Sequence, residues 1–570
     1  MFQLSRLSAA GLAAMALAGC GGDNDPAPPG PARLACADIN TASLGLAGLR
    51  VTQVETVAAG AVTPTGAAQA LPTHCRLQGQ LDERTSTVDG KPYGIGFELR
   101  MPAQWNGRFL FQGGGGTDGS VQPAVGTLSG GGATTNALTM GFAVVSTDGG
   151  HTSESAPVVG GALFGLDPQA RVDYGYNAVG RVTPVAKELL KRHYGQGPDR
   201  SYFAGCSNGG RQAMVAASRF ADQFDGIVAG NPGFNLPKSA VQHAWDVQAL
   251  ASVAPLVDGK PVIAQAFTNE EMAYVSRKVL DACDRLDGAT DGMVNAVRAC
   301  QTAFQPASLQ CGSTPEAGCL TAAKVGALQK IFAGPTDSGA RPLYADWSWD
   351  AGVHTFGWRI WKMGTSATAQ PNAIIATLGG GSLPYVFMTP PERPEGSAVF
   401  DYLLNFDFDT QAPGIFATSG LYGESSMSFM TPPQATRLQA FRDRGGKLLV
   451  YHGNSDPVFS LNDTVRWYEE LNSTHGGNAA SFARLFTVPG MNHCSGGPAT
   501  DQFDALSAMV QWVEKGTAPD SLLATARPGN ADAAAFAGRT RPLCAWPRVA
   551  TYKGSGSIED AASFSCELPS

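Results

Sequence analysis

Beyond its first twenty residues, this chain of 570 has no apolar run of the roughly 20 residues needed to cross a bilayer, so no internal segment reads as a membrane span. Positive charge is in short supply. Lys and Arg number 40 against 48 Asp and Glu, a net charge of −8, and nothing supplies the basic face that a nucleic-acid partner would need. Histidines number only 8, so a catalytic base has few candidates. Apolar residues, by contrast, reach 43%. That is enough core for two domains, or for one large domain with a big insertion.

The first twenty residues read as a targeting segment. Arg6 is followed by a small, apolar stretch from Leu7 to Ala18, and Leu17-Ala18-Gly19-Cys20 reads as a bacterial lipobox with a lipid carried on Cys20. The alternative is an ordinary secretory signal cut nearby. Residues 21–35, with Pro26, Pro28, Pro29 and Pro31, form a tether too rich in proline to pack. The expected location is outside the cytoplasm: an outer-membrane lipoprotein, periplasmic or extracellular, meeting the membrane only through Cys20. Ten cysteines remain once Cys20 is set aside, an even number that fits an exported protein with five bridges. Connectivity does not follow from counting.

The chemistry centres on residues 202–210. A short apolar run from Tyr202 ends at Gly205, and a helix-like stretch begins at Arg211. Between them Gly205-Cys206-Ser207-Asn208-Gly209 has the Gly-x-Ser-x-Gly spacing of a nucleophile elbow, a tight strand-to-helix turn that lifts a serine hydroxyl clear of the backbone. A serine hydroxyl needs a base, and the base needs an orienting acid. In the α/β-hydrolase order these follow as Asp or Glu, then His. The apolar run 448–452 leads into Gly453-Asn454-Ser455-Asp456, and the run 482–488 leads into Gly490-Met491-Asn492-His493-Cys494. Ser207, Asp456 and His493 therefore stand in the required order. The plain alternatives are a turn aspartate and a structural loop histidine. Gly113 to Gly116, after the strand at 108–111, leaves backbone N–H groups open for an oxyanion, to be paired with the N–H of Asn208. If Ser207 and His493 meet, their neighbours Cys206 and Cys494 must also be close, and a disulfide between them would staple nucleophile to base.

Strands are expected at 97–101, 108–111, 142–146, 202–204, 226–230, 448–453 and 482–489, with a helix at 176–194. This is a mostly parallel α/β sheet. The βαβ rhythm stops after Asn231-Pro232-Gly233. The α/β-hydrolase domain is accordingly read as 36–233 plus 435–570, with 234–434 inserted as a lid.

Cys206-Ser207, Asp456 and His493-Cys494 together resemble the signature of the tannase and feruloyl esterase family. The stretches 164–171, 440–447, 488–498 and 539–544 support the resemblance, which covers nearly all of the chain after the tether. It implies a serine esterase with oxyanion donors at Gly116 and Asn208. It also implies further bridges Cys36–Cys75, Cys283–Cys300, Cys311–Cys319 and Cys544–Cys566, and a structural calcium ion in the lid. The ligands would be the carboxylates of Asp284, Asp287 and Asp291 and the carbonyls of Ala289 and Met293. Three acids among tight turns suit a hard cation, although the spacing is not that of an EF-hand and a solvated acidic turn is the alternative. Trp361 and Phe459 would contact the substrate ring. A carboxylate-bearing substrate, such as a terephthalate monoester, would want an arginine. The stretch from Met363 to Glu392 has no Lys or Arg, and Ile374 stands at the aligned position. The expected substrates are aromatic acid esters, of the terephthalate-monoester type or of the feruloyl and galloyl type, and the missing cation favours the neutral or phenolic acyl groups. The rivals are an inactive hydrolase fold that binds aromatic ligands at the cell surface, and a peptidase on the same fold.

Overall fold

A computed structural model describes residues 33–64, 68–132 and 135–569. The targeting segment, Cys20 and the tether up to residue 32 lie outside the described residues.

Nine strands form the central sheet. In chain order they are β1 (Leu49–Val57), β2 (His74–Thr85), β3 (Pro92–Pro102), β4 (Arg108–Gln112), β5 (Ala143–Thr147), β6 (Arg200–Cys206), β7 (Gly226–Gly230), β8 (Lys447–Gly453) and β9 (Ala483–Val488). Their spatial order is β1-β2-β3-β5-β4-β6-β7-β8-β9. Pairing is antiparallel from β1 to β5 and parallel from β5 onward. The parallel strands are buried on both faces, so they read as unbroken apolar runs rather than alternating ones. Side chains still alternate between two cores. Phe109 and Phe111 of β4, Phe203 of β6 and Ile227 of β7 pack on one face, against the helices Ala178–Tyr194 and Asn208–Arg219. Leu110, Tyr202, Ala204 and Val228 pack on the other, against the helix Ala505–Lys515. This period of two is the ordinary geometry of a strand.

Between β7 and β8 the chain is helical and irregular, apart from the short pairing of Leu256–Val257 with Lys260–Pro261. It has a core of its own, centred on residues such as Val247, Val275, Leu328, Trp358 and Phe387. Among the described residues no helix is long and apolar enough to cross a membrane.

All five expected disulfides are formed. Cys206–Cys494 joins the ends of β6 and of the loop after β9, with α-carbons 6.0 Å apart and a sequence separation of 288. A cross-link closing so long a loop restricts the unfolded chain strongly, on the order of 5 kcal/mol in the chain-entropy model.

Candidate active site

The site is built at the C-terminal ends of parallel strands, where loops converge and backbone N–H groups of following helices point outward. β6 ends at Cys206, Ser207 takes φ 64° and ψ −125°, and the helix Asn208–Arg219 starts at once. That backbone conformation is strained for a residue with a side chain. It holds only because the turn is packed tightly around it. A β-carbon on Gly209 would lie 2.6 Å from the carbonyl oxygen of Gly114, and one on Gly205 would lie 2.7 Å from the Gly209 backbone. The glycines therefore let the loop after β4 rest directly on the elbow.

The loop after β9 brings His493 to Ser207. Its Nε2 lies 2.8 Å from Ser207 Oγ, and its Nδ1 lies 3.0 and 3.1 Å from the two oxygens of Asp456. The carboxylate can only accept, so Nδ1 carries the proton and Nε2 presents its lone pair to the hydroxyl. Asp456, on the loop after β8, is wholly enclosed. It accepts from Asn231 Nδ2 at 2.7 Å and from the Val458 N–H at 2.7 Å. His452 Nε2 is 3.4 Å away. The same nitrogen is 3.1 Å from the Phe459 carbonyl, which can only accept, so Nε2 carries a proton and donates it to that carbonyl, with the Asp456 oxygen as the more distant neighbour. Burial alone would raise the Asp456 pKa. The imidazoles of His493 and His452 reverse this and hold it well below the usual carboxylate range. Asp456 is therefore the ionised partner of the pair at neutral pH.

The loop after β4 is tied to the elbow helix by Asp118, which accepts from Asn208 Nδ2 at 2.7 Å and from Gln212 Nε2 at 2.9 Å. Burial pushes this carboxyl up to about 6. Among the described residues, neither the Gly116 N–H nor the Asn208 N–H donates to a protein acceptor, and both residues line the cleft beside Ser207. Trp361 and Phe459 line it and set their rings edge-on to His493, at centroid distances of 5.1 and 5.4 Å. Among the described residues no Lys, Arg, Asp or Glu side chain lines it.

Every residue picked from sequence for the triad, the oxyanion donors and the ring contacts is thus gathered at one cleft. Asn231, His452 and Asp118 were missed. Asn231 was visible only as the start of Asn231-Pro232-Gly233, a turn in which its φ is positive, at 36°. His452 lies inside a strand, where it reads as core. Asp118 is one acid in a polar loop, and its partners are some 90 residues away in sequence.

The acidic loop 283–293 lies apart from this cleft. Asp284 accepts from the N–H groups of Asp291 and Gly292 at 3.0 Å. Asp287 accepts from the Ala289 N–H at 3.0 Å and from Asn295 Nδ2 at 2.6 Å. Asp291 pairs with Arg541. Burial, with the other two acids adding to it, pushes Asp287 up to about 6. Among the described residues no three His, Cys, Asp or Glu side chains sit close enough to enclose a metal by themselves. The carbonyls of the buried residues Ala289 and Met293, however, accept no hydrogen bond among those residues. Crowded buried carboxylates beside two free carbonyls fit an all-oxygen site for a hard cation.

A serine on a strand-to-helix elbow, with its histidine and aspartate on the next parallel strand ends, defines an α/β-hydrolase. Comparison with known proteins narrows this further. Residues 75–567 match the family model described as tannase and feruloyl esterase. The chain is 46% identical over 532 residues to mono(2-hydroxyethyl) terephthalate hydrolase of Piscinibacter sakaiensis, covering 89% of this chain and 87% of that protein. It is 27% identical to a probable feruloyl esterase B-1 of Aspergillus fumigatus, covering 82% of each. Feruloyl esterase B from Aspergillus oryzae superposes with a TM-score of 0.70 at 26% identity, over 93% of this chain and 99% of that one. The chain belongs to the tannase and feruloyl esterase family, and it is a carboxylic ester hydrolase.

Proposed function

We propose that the chain hydrolyses esters of aromatic acids through an acyl-enzyme on Ser207. The observation that carries this reading is the 2.8 Å contact between Ser207 and His493, in a cleft walled by Trp361 and Phe459. Ser207 Oγ attacks the ester carbonyl while His493 Nε2 takes its proton. Asp456 keeps the imidazole in the required tautomer and stabilises its charged form. The N–H groups of Gly116 and Asn208 hold the oxyanion, aided by the partial positive charge at the start of the helix Asn208–Arg219. His493 then protonates the departing alcohol, and water repeats the sequence to free the acid. Residues 234–434 act as the lid, supplying Trp361 to the substrate cleft.

The acyl group is neutral in this reading, because among the described residues no Lys or Arg lines the cleft to meet a carboxylate. A lost charge-assisted hydrogen bond is worth about 10- to 100-fold in kcat/KM. A panel of methyl ferulate, methyl gallate and mono(2-hydroxyethyl) terephthalate tests the point. The neutral esters are expected to win by at least that margin, and preference for the terephthalate monoester would refute it.

The five disulfides fit an oxidising compartment. With the lipobox at Cys20, they support export as an outer-membrane lipoprotein, in the periplasm or outside the cell. Calcium binds the loop 283–293 through Asp284, Asp287, Asp291 and the carbonyls of Ala289 and Met293. Its role is structural, bracing the lid. Chelator should lower Tm by about 3–5 °C, with recovery on adding calcium but not magnesium. An unchanged Tm would remove the ion from the account.

A further inference from the structure

The helix Leu236–Ala251 runs along the cleft, and Leu236, Ala240 and His243 line it at spacings of four and three residues, one face of the helix. Leu236 follows the turn at Gly233, whose N–H reaches the Ser207 carbonyl. His243 is two turns further on, about 10 Å along the axis. Only 4% of its surface is exposed, and neither ring nitrogen has a hydrogen-bond partner. The Val458 carbonyl, which accepts from Ser239 Oγ at 3.0 Å, lies beside the ring but does not meet hydrogen-bond geometry with either nitrogen. A buried imidazole with both nitrogens free is costly, since an unmet polar group forfeits about 1–3 kcal/mol. The space around the ring is also preserved. A β-carbon on Gly379, in the facing helix Ile374–Ser382, would sit 2.6 Å from His243 Nδ1.

From this geometry we infer that His243 is the specificity residue for the acyl ring, hydrogen-bonding a phenolic hydroxyl of the substrate. The assignment rests on the aromatic-esterase reading above. Burial, with the Lys362 ammonium nearby, lowers the His243 pKa to about 3, so the ring is neutral at working pH. A neutral imidazole offers one N–H donor and one lone pair. A phenol, which can both give and accept a hydrogen bond, meets either nitrogen. The other groups lining the cleft from the lid and the β8 loop are mostly apolar (Leu378, Phe387, Val458, Phe459), with the Ser382 hydroxyl and the Trp361 indole as the polar exceptions. A ring without a hydroxyl would leave the imidazole unpaired, and sites built this way reject such analogues.

The test compares methyl 4-hydroxycinnamate with methyl cinnamate, using the whole enzyme. The wild type should favour the hydroxylated ester in kcat/KM by about 10- to 100-fold. In His243→Phe the ratio should fall to near one. His243→Gln keeps a donor and an acceptor and should retain part of the preference. His243→Leu is the fallback where Phe disrupts folding, and, having neither donor nor acceptor, it should also lose the preference. A purely structural role would lower both substrates together and leave the ratio alone, and that result overturns the assignment. So does a wild-type ratio near one. If the wild type turns over neither ester, the esterase reading itself fails and takes this assignment with it.

Discussion

Replacing Ser207 with Ala should lower kcat on an aromatic methyl ester by about 10⁵-fold or more. Among the described residues the Ser207 hydroxyl is the one that His493 Nε2 contacts, and it is positioned to form the acyl-enzyme. His493 Nε2 faces it at 2.8 Å, and no second hydroxyl contacts that nitrogen among the described residues. The loss should fall on kcat rather than on KM, because the ring contacts at Trp361 and Phe459 and the oxyanion donors are untouched. Some catalysis above water should persist from those donors and from binding. Ala adopts the strained turn no less easily than Ser, and the Cys206–Cys494 bridge is unaltered. Tm should therefore stay within about 2 °C of the wild type, a range in which surface-like substitutions usually fall. A parallel loss of Tm and activity would point to misfolding instead.

Asp456→Asn should cost about 10⁴-fold in kcat while preserving the overall structure. The amide is nearly isosteric, but it replaces an acceptor that serves several donors at once. His493 Nδ1, Asn231 Nδ2 and the Val458 N–H all point at the carboxylate. An Asn side chain turns one of its two positions into a donor. Either it opposes Asn231 or it faces His493 and forces the imidazole into the other tautomer. In that tautomer Nε2 carries the proton and can no longer take one from Ser207. The measurable signature is a large fall in kcat with a small change in KM, together with a modest drop in Tm.

Much of this site was legible before any coordinates. Ser207 announces itself through Gly205 and Gly209, because a sharp turn needs residues without β-carbons. Asp456 and His493 follow apolar runs that are short enough to be buried parallel strands. The Cys206–Cys494 pairing follows from adjacency to residues that must touch. What escaped notice shares one property: its meaning is three-dimensional. β1 and β2 form the antiparallel edge, where polar residues such as Gln78 and Gln80 alternate with buried ones and blur into loop. His452 sits mid-strand and gains its role only because the loop after β8 folds Asp456 back beneath it. Asp118 acquires a purpose when the helix carrying Asn208 and Gln212 packs against its loop. His243 looks like any residue of a buried helix until Gly379 is placed against it.

The central claim is that Ser207, driven by His493, is the reactive hydroxyl of this protein. Treating the folded enzyme with a fluorophosphonate and mapping the adduct by peptide mass spectrometry tests this most directly. The account predicts one stoichiometric adduct, on Ser207, that is absent from a His493→Ala variant at the same exposure. An unlabelled protein, or an adduct on any other residue, would contradict it.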